Sequence, residues 1–110
     1  MSVDLTNFRD MISGDKELEK VLFYEFFAAF EKGIEDLRAN DGDNPEAWRL
    51  QAHALKGTAL NLGAQALSDF CRKAQEKHTA AAEEKRRVLK EIEQEYKMVK
   101  EFLLAELAGS

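Results

Sequence analysis

Apolar residues recur every three or four positions along most of this chain, the spacing of amphipathic helices. The pattern predicts a short first helix over residues 4–12 and longer helices over 16–38, 45–62, 64–78 and 80–107. The second helix carries the most continuous apolar stripe, formed by Leu18, Leu22, Phe26, Phe30, Ile34 and Leu37, with Phe23 and Phe27 on one flank. Gly33 lies inside that stripe, where the missing side chain would let a neighbouring helix approach closely.

Local signals mark most of the helix ends. Asp15 is suited to cap the second helix, and Asn44-Pro45 is suited to open the third, because proline loses nothing at a first helical position. Gly63 provides a C-terminal stop for the third helix. Lys77-His78-Thr79-Ala80, at the boundary between the last two helices, contains neither glycine nor proline, so Thr79 is the candidate N-cap there.

Four long amphipathic helices with short connections predict an all-α fold. The expected architecture is an antiparallel up-down-up-down four-helix bundle, with the short N-terminal helix as a lid and one domain over residues 1–110. A composition with one proline and abundant Ala, Leu, Glu and Lys agrees with this prediction. One alternative treats Ala64 to Leu107 as a single long helix that drives a coiled-coil dimer; the bundle predicts a monomer.

Charge and composition narrow the possible partners. The net charge is −5, and the basic run Lys85-Arg86-Arg87 has acidic neighbours. We interpret this run as a solvated helix face, which makes nucleic acid an unexpected partner. No apolar run approaches the ~20 residues that span a bilayer, and no signal peptide is recognisable. The single cysteine, Cys71, cannot form an internal disulfide, so a cytoplasmic location is expected.

His53 falls in the middle of the third predicted helix, on the side away from the core. At about 100° per residue, the apolar stripe of this helix points roughly opposite to His53. That stripe consists of Trp48, Ala52, Leu55, Ala59 and Leu62, and the positions over His53 are Glu46, Arg49, Leu50, Lys56, Gly57 and Leu60. An exposed imidazole beside a cation and a glycine indicates a nucleophile or a binding group.

The run His53-Ala54-Leu55-Lys56-Gly57-Thr58, followed by Asn61-Leu62-Gly63-Ala64, resembles the signature of the histidine phosphotransfer (HPt) domain of bacterial two-component phosphorelays. The resemblance is closest from about Leu50 to Gln75. It implies that His53 accepts a phosphoryl group from a receiver-domain phosphoaspartate, or from a histidine kinase, and donates it to another receiver aspartate. Lys56 would stabilise the phosphate, Gly57 would leave room for it, and Gln75 would orient the imidazole.

The residues themselves agree with a phosphocarrier that has no ATP-dependent kinase activity. Phosphoryl transfer needs positioning and charge stabilisation, and an ammonium on Lys56 can provide the latter. No glycine-rich phosphate loop is present. We therefore expect no cofactor on this chain, with magnesium held by the partner receiver. Arg49, Leu50 and Leu60 are the predicted docking residues, since apolar groups around a reactive side chain suggest a contact surface.

Other interpretations of the same residues remain. The chain could be a helical docking module that keeps the HPt fold without carrying phosphate. The start of the sequence and the complete bundle favour a free-standing protein over a domain of a hybrid kinase. A metal site is not expected, because Leu50 and Gln75, rather than glutamates, precede His53 and His78 by three residues. His78 and Cys71 are interpreted as structural.

Overall fold

The computed structural model describes residues 1–109, which form five helices and no strand beyond one isolated bridge. The helices are α1 (Thr6–Met11), α2 (Lys16–Ala39), α3 (Pro45–Leu62), α4 (Gln65–Glu76) and α5 (Ala82–Ala108). Their ends agree with the predicted ends to within two residues. Within residues 1–109, no helix is both long enough and apolar enough to cross a membrane.

The four long helices form the antiparallel bundle that the sequence predicts. Ion pairs between α2 and α5 show their opposite directions, because Arg38 near the end of α2 pairs with Glu93, whereas the earlier Glu31 pairs with the later Lys100. Short connections place each remaining helix antiparallel to the one before it. The molecule is 44 Å long and about 20 Å across, as expected for one layer of helices around a single core.

The core of α2 differs from the predicted stripe at its first turn. Phe23, Phe30 and Leu37 are fully buried, but Leu18 is 39% exposed, and Glu19 is buried in its place. The prediction for Leu18 was therefore wrong. The cause is a tertiary contact, since Arg9 of α1 donates to the Glu19 carboxylate over 2.7 Å and covers that side of the helix.

Gly33 permits a close contact between α2 and α3, as predicted. A Cβ atom at this position would lie 2.8 Å from Nε2 of Gln51 and 2.9 Å from Cγ of Leu55. The side chains of Gln51 and Leu55 therefore pack directly against the backbone of α2, and a larger residue at position 33 would require them to shift. The helix that carries His53 is therefore held tightly on its inner side.

The N-terminal segment closes the end of the bundle where α3 meets α4. The amide of Asp4 donates to the carbonyl of Gly63 over 2.9 Å, and Val3 forms an isolated bridge with Ala64. Gly63 adopts the left-handed conformation with φ of 98°, which glycine tolerates best. The segment and α1 thus act as the predicted lid over this end.

The boundary between α4 and α5 is not where Thr79 would place it. Helix α5 is preceded by Ala81, which provides no side-chain cap, and residues 77–81 form a turn. The end of α4 is stabilised from elsewhere, because the Trp48 indole donates to the carbonyl of Ala74 over 2.7 Å. The Thr79 prediction was wrong. The single long helix of the coiled-coil alternative is also wrong, because this turn separates two helices.

Lys85 is buried, contrary to its interpretation as part of a solvated face. Its side chain is only 1% exposed, and its ammonium lies 5.4 Å from the centre of the Trp48 ring. This distance is within the range of cation–π attraction, which compensates part of the cost of burying the charge. Arg86 and Arg87 face solvent as expected.

Candidate functional site

The structure places His53 on the exposed side of α3. We call the line of exposed residues Leu50, His53 and Leu60 on this side the crest of α3. Leu50 and Leu60 on the same side are 55% and 53% exposed, whereas Ala52 and Leu55 on the opposite side are buried. The helix begins with a firm cap, because the Asn44 side chain accepts a hydrogen bond from the amide of Ala47 over 3.0 Å. His53 is thus a solvent-facing imidazole in the middle of a rigid element.

Gly57 leaves open space one turn after His53. A Cβ built at this position would meet no heavy atom within 4 Å apart from the backbone of its own helix. This differs from Gly33, where a neighbouring helix fills the space. The fold therefore does not require a glycine at position 57, and the space there is accessible to a second molecule.

A cleft between α3 and α4 borders the exposed crest on one side. We call it the α3/α4 cleft; its lining residues are Arg49, Lys56, Arg72, Gln75, Glu76 and His78. Helical geometry places Lys56 and Arg49 on the α4 side of His53, and Leu50 and Gly57 on the α2 side. The crest therefore separates a polar, mostly basic side from a more apolar one.

Gln75 lies in the α3/α4 cleft, although no hydrogen bond joins it to His53. Its Oε1 atom is buried and has no donor among the described residues. An unsatisfied buried acceptor of this kind costs about 1–3 kcal/mol. The structure thus brings Gln75 beside Lys56 in one cleft, and its role in orienting the imidazole stays a prediction.

The cations near His53 differ in how their charge is compensated. Arg49 binds Glu46 through its Nε atom at 3.0 Å, and this hydrogen bond lowers the pKa of the Glu46 carboxyl. Arg72 has a longer contact, 3.8 Å, with Asp69. Lys56 forms no ion pair with any residue in the range 1–109. Positive charge is therefore most available at Lys56.

Two residues that the sequence did not link to the site position this part of α3. The hydroxyl of Ser68, which is buried in α4, donates to the carbonyl of Lys56 over 3.2 Å. Trp48 fixes the start of α3 through its bond to Ala74. Periodicity marked Trp48 as a core residue, but no local signal could show either hydrogen bond, since each one joins separate helices.

The second histidine and the cysteine differ in setting from His53. His78 is half-buried after the end of α4, and its Nδ1 lies 3.1 Å from the carbonyl oxygen of Gln75, which can only accept. The proton of a neutral His78 ring is therefore on Nδ1, and Nε2 carries none. Cys71 is fully buried, and burial raises the pKa of its thiol to about 12. A thiol in this state is a poor nucleophile.

Comparison with known proteins gives the family of this fold and site. The Hpt domain family model matches residues 21–102, which is more than half of the chain. The chain belongs to the Hpt domain family. The resemblance inferred from the residues around His53 is thereby confirmed, and so is the all-α fold. Hpt domains are histidine phosphotransfer intermediates of phosphorelays, where they interact with receiver domains and kinases.

A solved structure supports the Hpt fold. The crystal structure of histidine-containing phosphotransfer protein B (HptB) from Pseudomonas aeruginosa PAO1 matches with a TM-score of 0.82 and 24% sequence identity. The match covers 96% of this chain and 91% of that chain. No curated protein matches this Hpt domain in sequence. At this identity the similarity to HptB establishes the fold alone.

Proposed function

We propose that His53 is the phosphoacceptor of this Hpt domain. It would receive a phosphoryl group from the phosphoaspartate of a receiver domain, or from a histidine kinase, and donate it to the aspartate of another receiver. The observation that supports this most is the exposed position of His53 on α3, with open space beside it at Gly57. A partner's active site needs such clearance to reach the ring.

In the transfer, a nitrogen of His53 replaces the aspartate oxygen as the atom bonded to phosphorus. The unprotonated nitrogen of His53 attacks phosphorus in line, the N–P bond forms, and the P–O bond to the aspartate breaks. The aspartate leaves as a carboxylate, and the reverse sequence loads the next receiver. Positioning and charge stabilisation dominate such a transfer. Magnesium and its acidic ligands would belong to the receiver, so this chain would need no cofactor.

Lys56 and Gln75 would assist the transfer from the α3/α4 cleft. The Lys56 ammonium has no competing ion pair in residues 1–109 and lies one turn from His53, so it can bind phosphoryl oxygens. The buried Oε1 of Gln75 lacks a donor. An imidazole N–H turned toward the cleft would satisfy it and would fix the other nitrogen as the nucleophile.

Docking would use the crest of α3 on both sides of His53. Leu50 and Leu60 are exposed apolar side chains that lose solvent on contact, and Arg49 lies at their polar edge. A central apolar patch with a charged rim is the usual anatomy of a specific interface. The carrier would act as a monomer in the cytoplasm, since it needs only one exposed crest and its cysteine is a free, buried thiol.

The proposal is tested by incubating the purified protein with a panel of phosphorylated receivers. We expect it to acquire an alkali-stable, acid-labile phosphate that mass spectrometry locates on His53. The alternative docking module predicts stable binding of a receiver without label on the Hpt domain. If no competent receiver or kinase labels the protein, the phosphotransfer proposal is wrong.

Replacing Lys56 with alanine should slow transfer while leaving the helix intact. The change removes one charged hydrogen bond to the phosphoryl group, worth about 1.5 kcal/mol, which corresponds to roughly tenfold in rate. Alanine is a good helix former, so the fold should persist. Rapid-quench measurement of the transfer rate checks this, with Lys97→Ala, an exposed position on α5, as the control. Equal rates for both variants would make Lys56 an ordinary surface lysine.

Replacing Gly57 with leucine should obstruct receiver docking without harming the fold. The new side chain would project into the open space beside His53, and a misfit there should weaken binding roughly tenfold or more. Isothermal titration with a transfer-competent receiver measures this effect. Gly42→Leu is the matched control, because that glycine also has open space around its Cβ position but lies in the turn before α3. Unchanged affinity in Gly57→Leu would refute the clearance role.

A further inference from the structure

The charged side chains that line the α3/α4 cleft are mostly basic, whereas the chain as a whole is acidic. The protein carries 21 acidic and 16 basic side chains, for a net charge of −5. The cleft is nevertheless lined by three permanent cations, Arg49, Lys56 and Arg72, and by one acidic residue, Glu76. The cleft also borders the crest that carries His53. This concentration of cations is local and lies beside the reactive side chain, and Glu46 and Asp69 balance part of it.

Two of these cations are free to bind an incoming anion. Lys56 has no ion pair among residues 1–109, and Arg72 is 58% exposed with its acidic neighbour Asp69 at 3.8 Å. An exposed pair at that distance contributes little energy and is easily exchanged. Arg49 is different, because Glu46 already neutralises it at short range. Lys56 already has a role in the proposed phosphoryl transfer. Arg72 is thus the remaining cation of the cleft that is available to a partner.

An acidic partner would meet an electrostatic barrier on most of this surface. A receiver holds Mg²⁺ with carboxylates, and its phosphoryl group adds further negative charge that the metal does not cancel, so the mouth of its active site is negatively charged. Two negative surfaces repel each other and lower the association rate. A patch of cations beside His53 would remove this repulsion at the one place where the two proteins must meet.

We propose that the α3/α4 cleft docks acidic side chains at the mouth of the receiver's active site, and that Arg72 is the residue that steers and orients the receiver there. This inference rests on the proposed function of His53 and adds the chemistry of the partner's contacting edge. Arg72 is a residue of α4 and lines the same cleft as Lys56, which belongs to α3. It is a docking residue, since it binds the partner's carboxylates and leaves the phosphoryl group to Lys56.

The orientation follows from the asymmetry of the crest. The basic cleft lies on the α4 side of His53, and the exposed Leu50 lies on the α2 side. A receiver that places acidic side chains over α4 is held with one rotational setting about His53. Charge contacts at the edge of an interface change the association rate and its salt dependence more than they change the dissociation rate.

The test uses a receiver that has already been shown to exchange phosphate with the wild-type chain. The second-order rate constant of transfer is measured at ionic strengths of about 20 mM and about 500 mM, for Arg72→Gln and for Arg87→Gln. The control matches well, since Arg87 is 69% exposed on α5 and has its acidic partner Glu83 at 3.7 Å. Both variants change the net charge by the same amount.

We expect Arg72→Gln to slow transfer roughly threefold to tenfold at low ionic strength and to match wild type at high ionic strength, where the charges are screened. Arg87→Gln should stay within about twofold of wild type under both conditions. Arg72→Glu should lower the rate constant of transfer more than Arg72→Gln does at low ionic strength. Circular dichroism confirms that each variant is folded.

Two results would overturn the inference while leaving the proposed function intact. One is equal rates for Arg72→Gln and Arg87→Gln at low ionic strength, while wild type still transfers phosphate. The other is saturable binding of inorganic phosphate at Arg72, detected by NMR titration, which would make the cleft a phosphate subsite instead. Failure of every receiver to label wild type would instead contradict the proposed function itself.

Discussion

Replacing His53 with glutamine will abolish phosphorylation of the protein by phosphorylated receivers. Glutamine retains a polar side chain but has no nitrogen lone pair able to attack phosphorus, because its amide nitrogen is conjugated with the carbonyl. The side chain of His53 is exposed and outside the core, so the free energy of unfolding should change by no more than about 0.5 kcal/mol. Loss of label would thus reflect lost chemistry, not lost structure.

His78→Gln is the control for this experiment. His78 is the other histidine of the chain; it lines the α3/α4 cleft and is half-buried, whereas His53 is exposed on α3. His78→Gln should still be labelled to completion, with any change confined to the rate because the residue lines the docking cleft, and His53→Gln should still bind the receiver by titration. Label that persists in His53→Gln, or that disappears only in His78→Gln, would show that His53 is not the phosphoacceptor.

Replacing Trp48 with alanine will produce the largest loss of stability that we expect from one change near the site. The side chain is fully buried, and truncation of such an aromatic residue typically costs about 3–5 kcal/mol. Trp48 also donates to the Ala74 carbonyl and lies beneath the Lys85 ammonium. The variant would remove the donor to the Ala74 carbonyl and the aromatic ring beneath the buried Lys85. It would also leave a cavity in the core.

Urea unfolding followed by circular dichroism measures this effect, since Trp48 is the chain's one tryptophan and its fluorescence is lost in the variant. Leu50→Ala is the control on the same helix, and at 55% exposure it should change the free energy of unfolding by about 0.5 kcal/mol or less. A cost below about 1 kcal/mol for Trp48→Ala would show that the junction of α3, α4 and α5 does not depend on this residue.

The bundle could be predicted from the sequence because its determinants are local. The three- and four-residue periodicity of α2, α3 and α5 and the caps at Asp15, Asn44 and Gly63 lie within the segments that they control. The position of His53 on the exposed side also follows from that periodicity. The resemblance to Hpt domains then needed only a short motif on a helix whose exposed face was already known.

Features that depend on contacts between helices could not be predicted in the same way. Glu19 is buried because Arg9 reaches it from α1, and Lys85 is buried because the Trp48 ring lies beneath it. The end of α4 depends on the Trp48 indole, which is 26 residues away in the chain. The charges of Glu19 and Lys85 predicted exposure, and the end of α4 had no local stop signal. In each case a residue distant in the sequence determined the outcome.

The candidate site shows the same division. His53, Lys56 and Gly57 lie on one helix, so their shared face follows from helical geometry. The α3/α4 cleft brings Arg72 and His78 to that face from another part of the chain, and no spacing in the sequence joins them to His53. Gln75 was linked to the site through the family resemblance, and the structure places it in the cleft beside Lys56.

The burial of Cys71 has a practical consequence for following this protein in solution. Thiol-specific dyes react with the thiolate, which this side chain, with a pKa of about 12 and no solvent exposure, does not supply at neutral pH. A cysteine introduced at an exposed site such as Leu104 on α5 would therefore carry a fluorophore alone, with the native cysteine left in place. Encounters with receivers could then be timed one molecule at a time.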